Sequence, residues 1–139
     1  LDPAQGGPWH VGVHALVRDL NRNYKTERAL HAQDFDLGGF QWLAVDDHAH
    51  SVFAFLRRAP DSEAVIVVSN FTPVPRPGYR LGVPEPGRYV ELVNTDSTYY
   101  GGSNTGNVAC DSDPVSAQGQ PHSIVVTIPP LATVYLRRG

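Results

Sequence analysis

The spacing of apolar residues changes once along this chain of 139 residues, close to residue 38. Before that point apolar side chains recur at three- and four-residue steps, which is the pattern of an amphipathic helix. After it, short apolar runs alternate with polar segments rich in proline and glycine, which is typical of strands joined by turns. We therefore predict a helical lead-in over residues 1–38 and an all-β domain over residues 39–139. The apolar stripe of the predicted helix consists of Val13, Leu16, Val17, Leu20 and Tyr24.

The predicted helix begins near Pro8, because a first helical turn tolerates a residue that lacks an N–H. Arg18, Asp19 and Arg22 fall on the other side of the helix from the apolar stripe. A second short helical turn is predicted directly after Thr26, which would serve as its N-cap. One helix cannot bury a stripe of this length by itself, so we expect the stripe to contact another surface.

Six strands are predicted from runs rich in β-branched and aromatic residues, over residues 40–45, 51–56, 64–68, 88–93, 123–128 and 132–136. The first two flank a polar turn and form a hairpin. The third is almost entirely β-branched, which is typical of a strand buried on both faces. Twelve prolines and 13 glycines suit a domain with many turns. The predicted fold class is mainly β, an antiparallel β-sandwich preceded by a helical segment.

A polar stretch over residues 94–107 follows neither apolar period. Its Asn, Asp and Ser side chains favour bonds to nearby backbone groups, and its glycines permit positive φ angles. Such a long loop seldom persists in a compact domain unless it packs on itself or takes part in function. We therefore expect a compact, ordered surface loop.

The charge and the cysteine content exclude several classes of protein. A net charge of −3 and a pI of about 6.0 argue against binding to nucleic acid or to an anionic membrane surface. No apolar run approaches the ~20 residues that span a bilayer. The single cysteine, Cys110, excludes an internal disulfide and indicates a reducing compartment, so we expect a cytoplasmic protein. The chain has neither methionine nor a signal-peptide pattern, and we interpret it as part of a longer protein.

Few residues follow patterns that are typical of catalytic or metal-binding sites. His10 and His14 have the spacing of two zinc ligands on a helix, but Val11 stands where the metalloprotease motif has glutamate. The acidic residues and histidines of residues 46–50 are ligand types as well, yet they are also the ordinary composition of a polar turn. Glycoside chemistry needs two carboxylates facing each other across the scissile bond, and no such pair is recognisable. We therefore predict no catalytic residue and no metal site in this chain.

Three aromatic residues are candidates for stacking on sugar rings, because rings such as glucose have flat apolar faces that match aromatic side chains. They are Trp42, Tyr99 and Tyr100. For Trp42 the competing interpretation is packing in the core or between domains. For the two tyrosines it is packing of the polar loop on itself.

Eight sequence motifs, in their order along the chain, carry a resemblance to a known family. They are Leu16-Val17-Arg18-Asp19-Leu20-Asn21, Ala29-Leu30-His31 with Asp34-Phe35-Asp36, Gly39-Phe40-Gln41-Trp42, Ser69-Asn70-Phe71-Thr72-Pro73-Val74, Tyr79-Arg80, Asn94-Thr95-Asp96-Ser97, Gly101-Gly102-Ser103-Asn104 with Gly106-Asn107, and Pro129-Pro130-Leu131-Ala132-Thr133. Over essentially the whole chain this order resembles the carboxy-terminal portion of bacterial glycogen branching enzymes, which are members of the alpha-amylase superfamily.

The resemblance implies an enzyme of three parts: an amino-terminal carbohydrate-binding module, a (β/α)8 barrel and a carboxy-terminal β domain. Residues 1–38 would then close the barrel, and residues 39–139 would form the terminal domain. The implied activity is retaining transfer of an α-1,4-glucan chain to a 6-hydroxyl, which makes an α-1,6 branch without a metal or an organic cofactor. The catalytic aspartate and glutamate of the family lie upstream in the barrel, and no position of this sequence matches them. The segment is therefore expected to be inactive by itself and to support the barrel.

Two alternatives remain. The chain could be a free-standing carbohydrate-binding or interaction domain with no catalytic partner. It could also be the tail of a sister enzyme, such as a debranching or trehalose-forming relative. The motifs Asn94-Thr95-Asp96-Ser97 and Gly101-Gly102-Ser103-Asn104 favour a branching enzyme over these relatives.

Overall fold

A computed structural model describes residues 7–139, so residues 1–6 of the predicted lead-in lie outside the described part. The predicted helix is present as α1 (Gly7–Thr26). No helix in the described part of the chain is both long enough and apolar enough to cross a bilayer. Two short 3₁₀ turns, Arg28–Leu30 and Leu37–Gly39, connect α1 to the first strand.

The prediction that Thr26 caps a second helix was wrong. Thr26 is the last residue of α1, and its hydroxyl donates a hydrogen bond of 3.1 Å to the carbonyl of Arg22. The cap position of the following 3₁₀ turn is Glu27, whose side chain makes no capping bond. A threonine hydroxyl can bond backward to a carbonyl four residues earlier, and this bond keeps Thr26 inside the helix.

Eight strands follow in the described residues, and they include all six of the predicted ones. Two were missed. β4 was missed because Pro77 and Gly78 interrupt its pattern and its pairing shifts between Arg76 and Tyr79, and β6 was missed because it has only three residues. The strands are β1 (Phe40–Asp47), β2 (Val52–Arg57), β3 (Val65–Asn70), β4 (Arg76–Val83), β5 (Arg88–Asn94), β6 (Ala109–Asp111), β7 (His122–Ile128) and β8 (Ala132–Arg138).

The strands form two antiparallel sheets. The larger sheet has the order β1-β2-β3-β8-β5-β6, and the smaller one consists of β4 and β7. The hydrophobic core lies between them, and its largest side chains are fully buried: Tyr89, Leu56, Ile66, Leu81, Ile124, Ile128 and Leu136. The predicted mainly β, antiparallel sandwich with one helix is confirmed.

β3 is buried on both faces of the larger sheet, as its β-branched composition predicted. Ile66 and Val68 point into the core between the sheets. Val65 and Val67 point to the opposite face, where Ala29 and the neighbouring leucine of the 3₁₀ turn cover them. The 3₁₀ turn that follows α1 therefore packs on this outer face of the larger sheet.

Candidate functional site

The helix contacts the β domain through its polar side and not through the apolar stripe. Asp19 is buried at 6% exposure and Ala15 at 8%. The hydroxyl of Tyr100, in the 94–107 loop, donates a hydrogen bond of 2.9 Å to the Asp19 carboxylate. Gly12 lies so close to this loop that a Cβ atom there would overlap the carbonyl oxygen of Tyr100. A charged residue and a glycine therefore form the centre of the contact.

The Asp19 carboxylate remains ionised in this contact. Burial by itself would raise its pKa, but hydrogen bonds from Tyr100, Arg18 and Arg22 outweigh burial and hold the pKa below the ordinary value for aspartate. A carboxylate with three donors is well satisfied. Asp19 thus joins the helix to the loop by charge-assisted hydrogen bonds.

Most of the apolar stripe, in contrast, is exposed, although Leu16 and Leu20 are partly buried. Val13 is 61% exposed, and Val17 and Tyr24 are about half exposed. Trp9, at 70% exposure, lies on the same side of α1, because it precedes Val13 by four residues and Leu16 by seven. Trp9 was not among the predicted stripe residues, although this spacing indicates that it belongs to them. One edge of Trp9 lies beside Gly101 of the loop, and Tyr24 lies beside His31, but large parts of these side chains meet solvent.

Trp42 lies on the outer face of the larger sheet, in a small aromatic cluster. Its ring is edge-on to those of Phe40 and Phe55, at centroid distances of 5.1 and 6.0 Å. Phe40 and Phe55 are stacked on each other at 5.2 Å. Trp42 is 51% exposed, so one part of the ring is supported by packing while the rest meets solvent. It is not a residue of the core.

A polar bridge connects the end of the apolar stripe to this aromatic cluster. The Tyr24 hydroxyl donates to Asp34 at 2.8 Å, and Arg57 donates to the same carboxylate at 2.5 Å. Hydrogen bonds from Arg57 and Tyr24 lower the pKa of Asp34. Arg57 also donates to the carbonyl of Gly39, next to the cluster, at 3.1 Å. We refer to the exposed residues on both sides of this bridge, Trp9, Val13, Val17, Tyr24, Phe40 and Trp42, as the outer apolar surface.

The 94–107 loop is compact and ordered, as predicted. The Asp96 carboxylate accepts hydrogen bonds from the backbone N–H of Ser103 at 3.0 Å, from its hydroxyl at 2.6 Å and from the N–H of Thr105 at 2.9 Å. Burial would raise the pKa of Asp96, but these three bonds outweigh it and lower the pKa. The side chain of Asn107 exchanges two bonds of 2.8 Å with the backbone of Thr127 on β7. The loop is therefore joined both to itself and to the sandwich.

Two glycines of the loop motifs are required by space. A Cβ atom on Gly102 would overlap the backbone carbonyl of Asp96, and one on Gly106 would overlap the side-chain amide of Asn94. Backbone atoms cannot move aside at low cost, and the Asn94 side chain is held by its bonds to the backbone of Thr105 and Asp96. The motif residues therefore build the surface on which α1 lies.

The two tyrosines of the loop differ in their environment. Tyr100 is half-buried and bonds to Asp19, and burial together with the Asp19 carboxylate raises its pKa to about 12. Tyr99 is 62% exposed, and its hydroxyl accepts a hydrogen bond of 2.7 Å from Arg18. Of the three predicted candidates, Trp42 and Tyr99 are thus exposed, while Tyr100 packs against the helix. The structure does not bring Trp42 and the tyrosines into one cluster.

The remaining candidate metal ligands do not meet in one site. His10 and His14 are exposed on α1. Asp47 is in β1 and not in the turn; its carboxylate bonds to His50 at 2.7 Å and accepts from the hydroxyl of Tyr79 at 2.9 Å. Among residues 7–139, no group of three or more histidine, cysteine or acidic side chains is placed to hold a metal ion.

A comparison with protein families adds one finding to this geometry. A family model described as the alpha amylase C-terminal all-beta domain matches residues 42–139. The match begins within β1 and includes β2 to β8, whereas α1 and both 3₁₀ turns that follow it lie before the matched region. The outer apolar surface therefore combines a helix that precedes the matched region with the first strand of the sandwich.

Proposed function

The chain belongs to the family of alpha-amylase C-terminal all-β domains, and from this premise we propose that it forms the carboxy-terminal portion of a cytoplasmic glycogen branching enzyme. Such an enzyme cleaves an α-1,4-glucan and transfers the released chain to a 6-hydroxyl, which creates an α-1,6 branch. In this proposal the chain has a supporting role: it packs against the (β/α)8 barrel that carries the catalytic carboxylates.

The observation that carries the supporting role is the outward direction of the apolar stripe. A helix of a globular protein normally turns such a stripe toward the domain on which it lies, yet α1 turns its charged side toward the loop. Burying one large apolar side chain is worth about 1.5–3 kcal/mol, so several exposed ones favour a second surface. The barrel is the occupant to which we commit, because the matched family is that of a carboxy-terminal domain and α1 lies on its amino-terminal side.

The choice of a branching enzyme among amylase relatives rests on the motifs of the 94–107 loop. Asn94-Thr95-Asp96-Ser97 and Gly101-Gly102-Ser103-Asn104 resemble the sequences of branching enzymes more than those of debranching or trehalose-forming relatives. Their side chains and glycines form the hydrogen-bonded surface that receives α1. Because this surface sets the direction of the stripe, the motifs have a physical role in the proposed contact with the barrel.

The reaction itself is tested by incubating the intact enzyme with linear amylose. We expect the signal of α-1,6 linkages to grow in proton NMR spectra without a matching rise in reducing ends, because retaining transfer conserves their number. A rise in reducing ends without branches would indicate a hydrolytic relative instead. If the gene encodes no barrel, the free-standing binding domain is the better assignment.

The contact with the barrel is tested by placing a charge in the stripe. Val17→Asp in the intact enzyme is expected to lower the stability of the joined domains by about 2–4 kcal/mol, since it removes apolar burial and adds a buried charge. Val11→Asp is the matched control, because Val11 is 49% exposed on another side of the same helix and Val17 is 51% exposed. Thermal unfolding and limited proteolysis would report the difference. Equal effects of the two substitutions would contradict the proposed contact.

We also propose that Trp42 contacts a glucan chain at the border of this contact. Its half-exposed ring is braced edge-on by Phe40 and Phe55, so it offers a rigid flat surface to a sugar ring. Trp42→Ala in the intact enzyme should weaken binding to glycogen by about three- to tenfold, the value of one aromatic contact, while Trp42→Phe should retain most of it. Unchanged affinity in the alanine variant would assign Trp42 to domain packing alone.

A further inference from the structure

Tyr99 is held in a fixed orientation although it has little contact with the core. It lies in the 3₁₀ turn Thr98–Tyr100, where its N–H donates to the capping hydroxyl of Ser97 at 3.2 Å. The turn ends at Gly101, which adopts a left-handed φ of 92° that favours glycine. At the other end of the side chain, Arg18 donates to the hydroxyl at 2.7 Å. Tyr99 is 62% exposed, yet hydrogen bonds hold both its backbone N–H and its hydroxyl.

Exposed polar side chains with planar groups lie on the helix and on the loop residues next to this turn. Arg18 and Arg22 bond to Asp19 and remain more than half exposed. Asn104 is exposed, and its side-chain carbonyl accepts from the N–H of Thr98 at 3.4 Å, so its amide group keeps two donors. A glucose ring presents a flat C–H face and a rim of hydroxyls, and it therefore needs both an aromatic surface and such donors and acceptors.

The local charge favours a neutral ligand. Asp19 bonds to both arginines and offsets one of their two charges. The one net positive charge that remains lies on side chains that are more than half exposed, so it is screened by solvent and attracts a phosphate or carboxylate ligand only weakly. Sugar hydroxyls, by contrast, can accept from the exposed guanidinium groups and from the side-chain amide of Asn104.

This cluster stays accessible when the outer apolar surface is covered. Successive residues of a helix are separated by 100°, so Arg18, nine residues after Trp9, points away from the stripe to which Trp9 belongs. Tyr99 bonds to the Arg18 side of α1. A barrel lying on the stripe would leave that side open to solvent. We propose that Tyr99, Arg18 and Asn104 form a surface site for a linear α-glucan chain, separate from the contact with the barrel; the ligand class rests on the function proposed above.

The site is tested in the intact enzyme with maltoheptaose and glycogen as probes. Tyr99→Ala should weaken the affinity for both by about three- to tenfold, because one aromatic stacking contact is lost. Tyr99→Leu keeps apolar bulk without a flat ring and should weaken the affinity as much as Tyr99→Ala does. Tyr99→Phe keeps the ring and should weaken the affinity by less than about twofold. Phe71→Ala is the control, because Phe71 has a similar exposure of 66% elsewhere on the β domain. Unfolding midpoints would verify that each variant is folded.

The outcomes separate this site from the proposed function. Unchanged affinity in both Tyr99→Ala and Tyr99→Leu, with branching of amylose intact, would overturn the site and leave the branching function standing. A fall in affinity of the Phe71→Ala variant equal to that of Tyr99→Ala would also overturn it, since exposure alone would then explain binding. An enzyme that binds maltoheptaose through Tyr99 but forms no branches would overturn the branching function and leave the site standing.

Discussion

Asn70→Ala is expected to lower the free energy of unfolding of the chain by about 3–5 kcal/mol, because it removes four hydrogen bonds made by a buried side chain, and the buried carbonyl of Pro129 loses this donor. Asn70 is 2% exposed at the end of β3. Its amide nitrogen donates to the carbonyls of Val74 at 2.8 Å and Pro129 at 3.1 Å. Its carbonyl oxygen accepts from the N–H and the hydroxyl of Thr72, at 2.9 and 2.8 Å. One side chain thus holds the connection after β3 against the turn before β8.

Urea unfolding followed by tryptophan fluorescence would measure this loss. Asn70→Asp should be at least as harmful, since it replaces both donors with a charge directed at two carbonyl oxygens. Asn21→Ala is the matched control, because Asn21 is exposed on α1 and surface substitutions of this kind change stability by less than about 0.5 kcal/mol. An Asn70→Ala effect as small as that of Asn21→Ala would contradict the assigned role.

Gly12→Ala is expected to destabilise the docked helix by about 1–3 kcal/mol, the cost of overpacking a close contact. The sign of this effect is informative, because alanine in a helix interior is otherwise favoured over glycine by about 1 kcal/mol. At Gly12 a Cβ atom would overlap the backbone carbonyl of Tyr100, so α1 would have to move away from the loop. This movement would also strain the bond between Tyr100 and Asp19.

Hydrogen exchange of the α1 amides would show the result as a loss of protection confined to the helix and the 94–107 loop. Gly38→Ala is the control, since a Cβ atom there would meet its nearest neighbour, a carboxylate oxygen of Asp36, at 3.5 Å, an ordinary contact distance. If Gly12→Ala instead increased protection of α1, helix propensity would dominate and the close contact with Tyr100 would be refuted.

Most of the helix and strands could be predicted because the spacing of apolar residues in the sequence matches the positions that are buried in the fold. The β-branched run of β3 indicated a strand covered on both faces, and both Val65 and Ile66 are indeed fully buried. β4 escaped prediction because Pro77 and Gly78 are unfavourable within strands and the pairing shifts beside them. The pairing partner of such an irregular strand decides its structure, and the partner is distant in sequence.

The candidate residues were only partly predictable. Aromatic character made Trp42, Tyr99 and Tyr100 candidates, but their exposure depends on neighbours contributed by other elements. Tyr100 meets Asp19 of the helix and becomes half-buried, while Tyr99, the adjacent residue, remains 62% exposed. The membership of Trp9 in the apolar stripe was readable from its spacing and was missed.

The amphipathic helix, the sandwich of short strands and the ordered polar loop follow from local features of the chain. Local period, turn residues and short-range hydrogen bonding are sufficient for these features. The side of the helix that meets the β domain depends instead on contacts between residues that are distant in sequence. Residue type alone would place Asp19 in solvent and the apolar stripe inside. The hydrogen bond from Tyr100 and the close approach at Gly12 reverse this arrangement, because a well-satisfied charge can be buried and a fitting backbone contact requires a glycine.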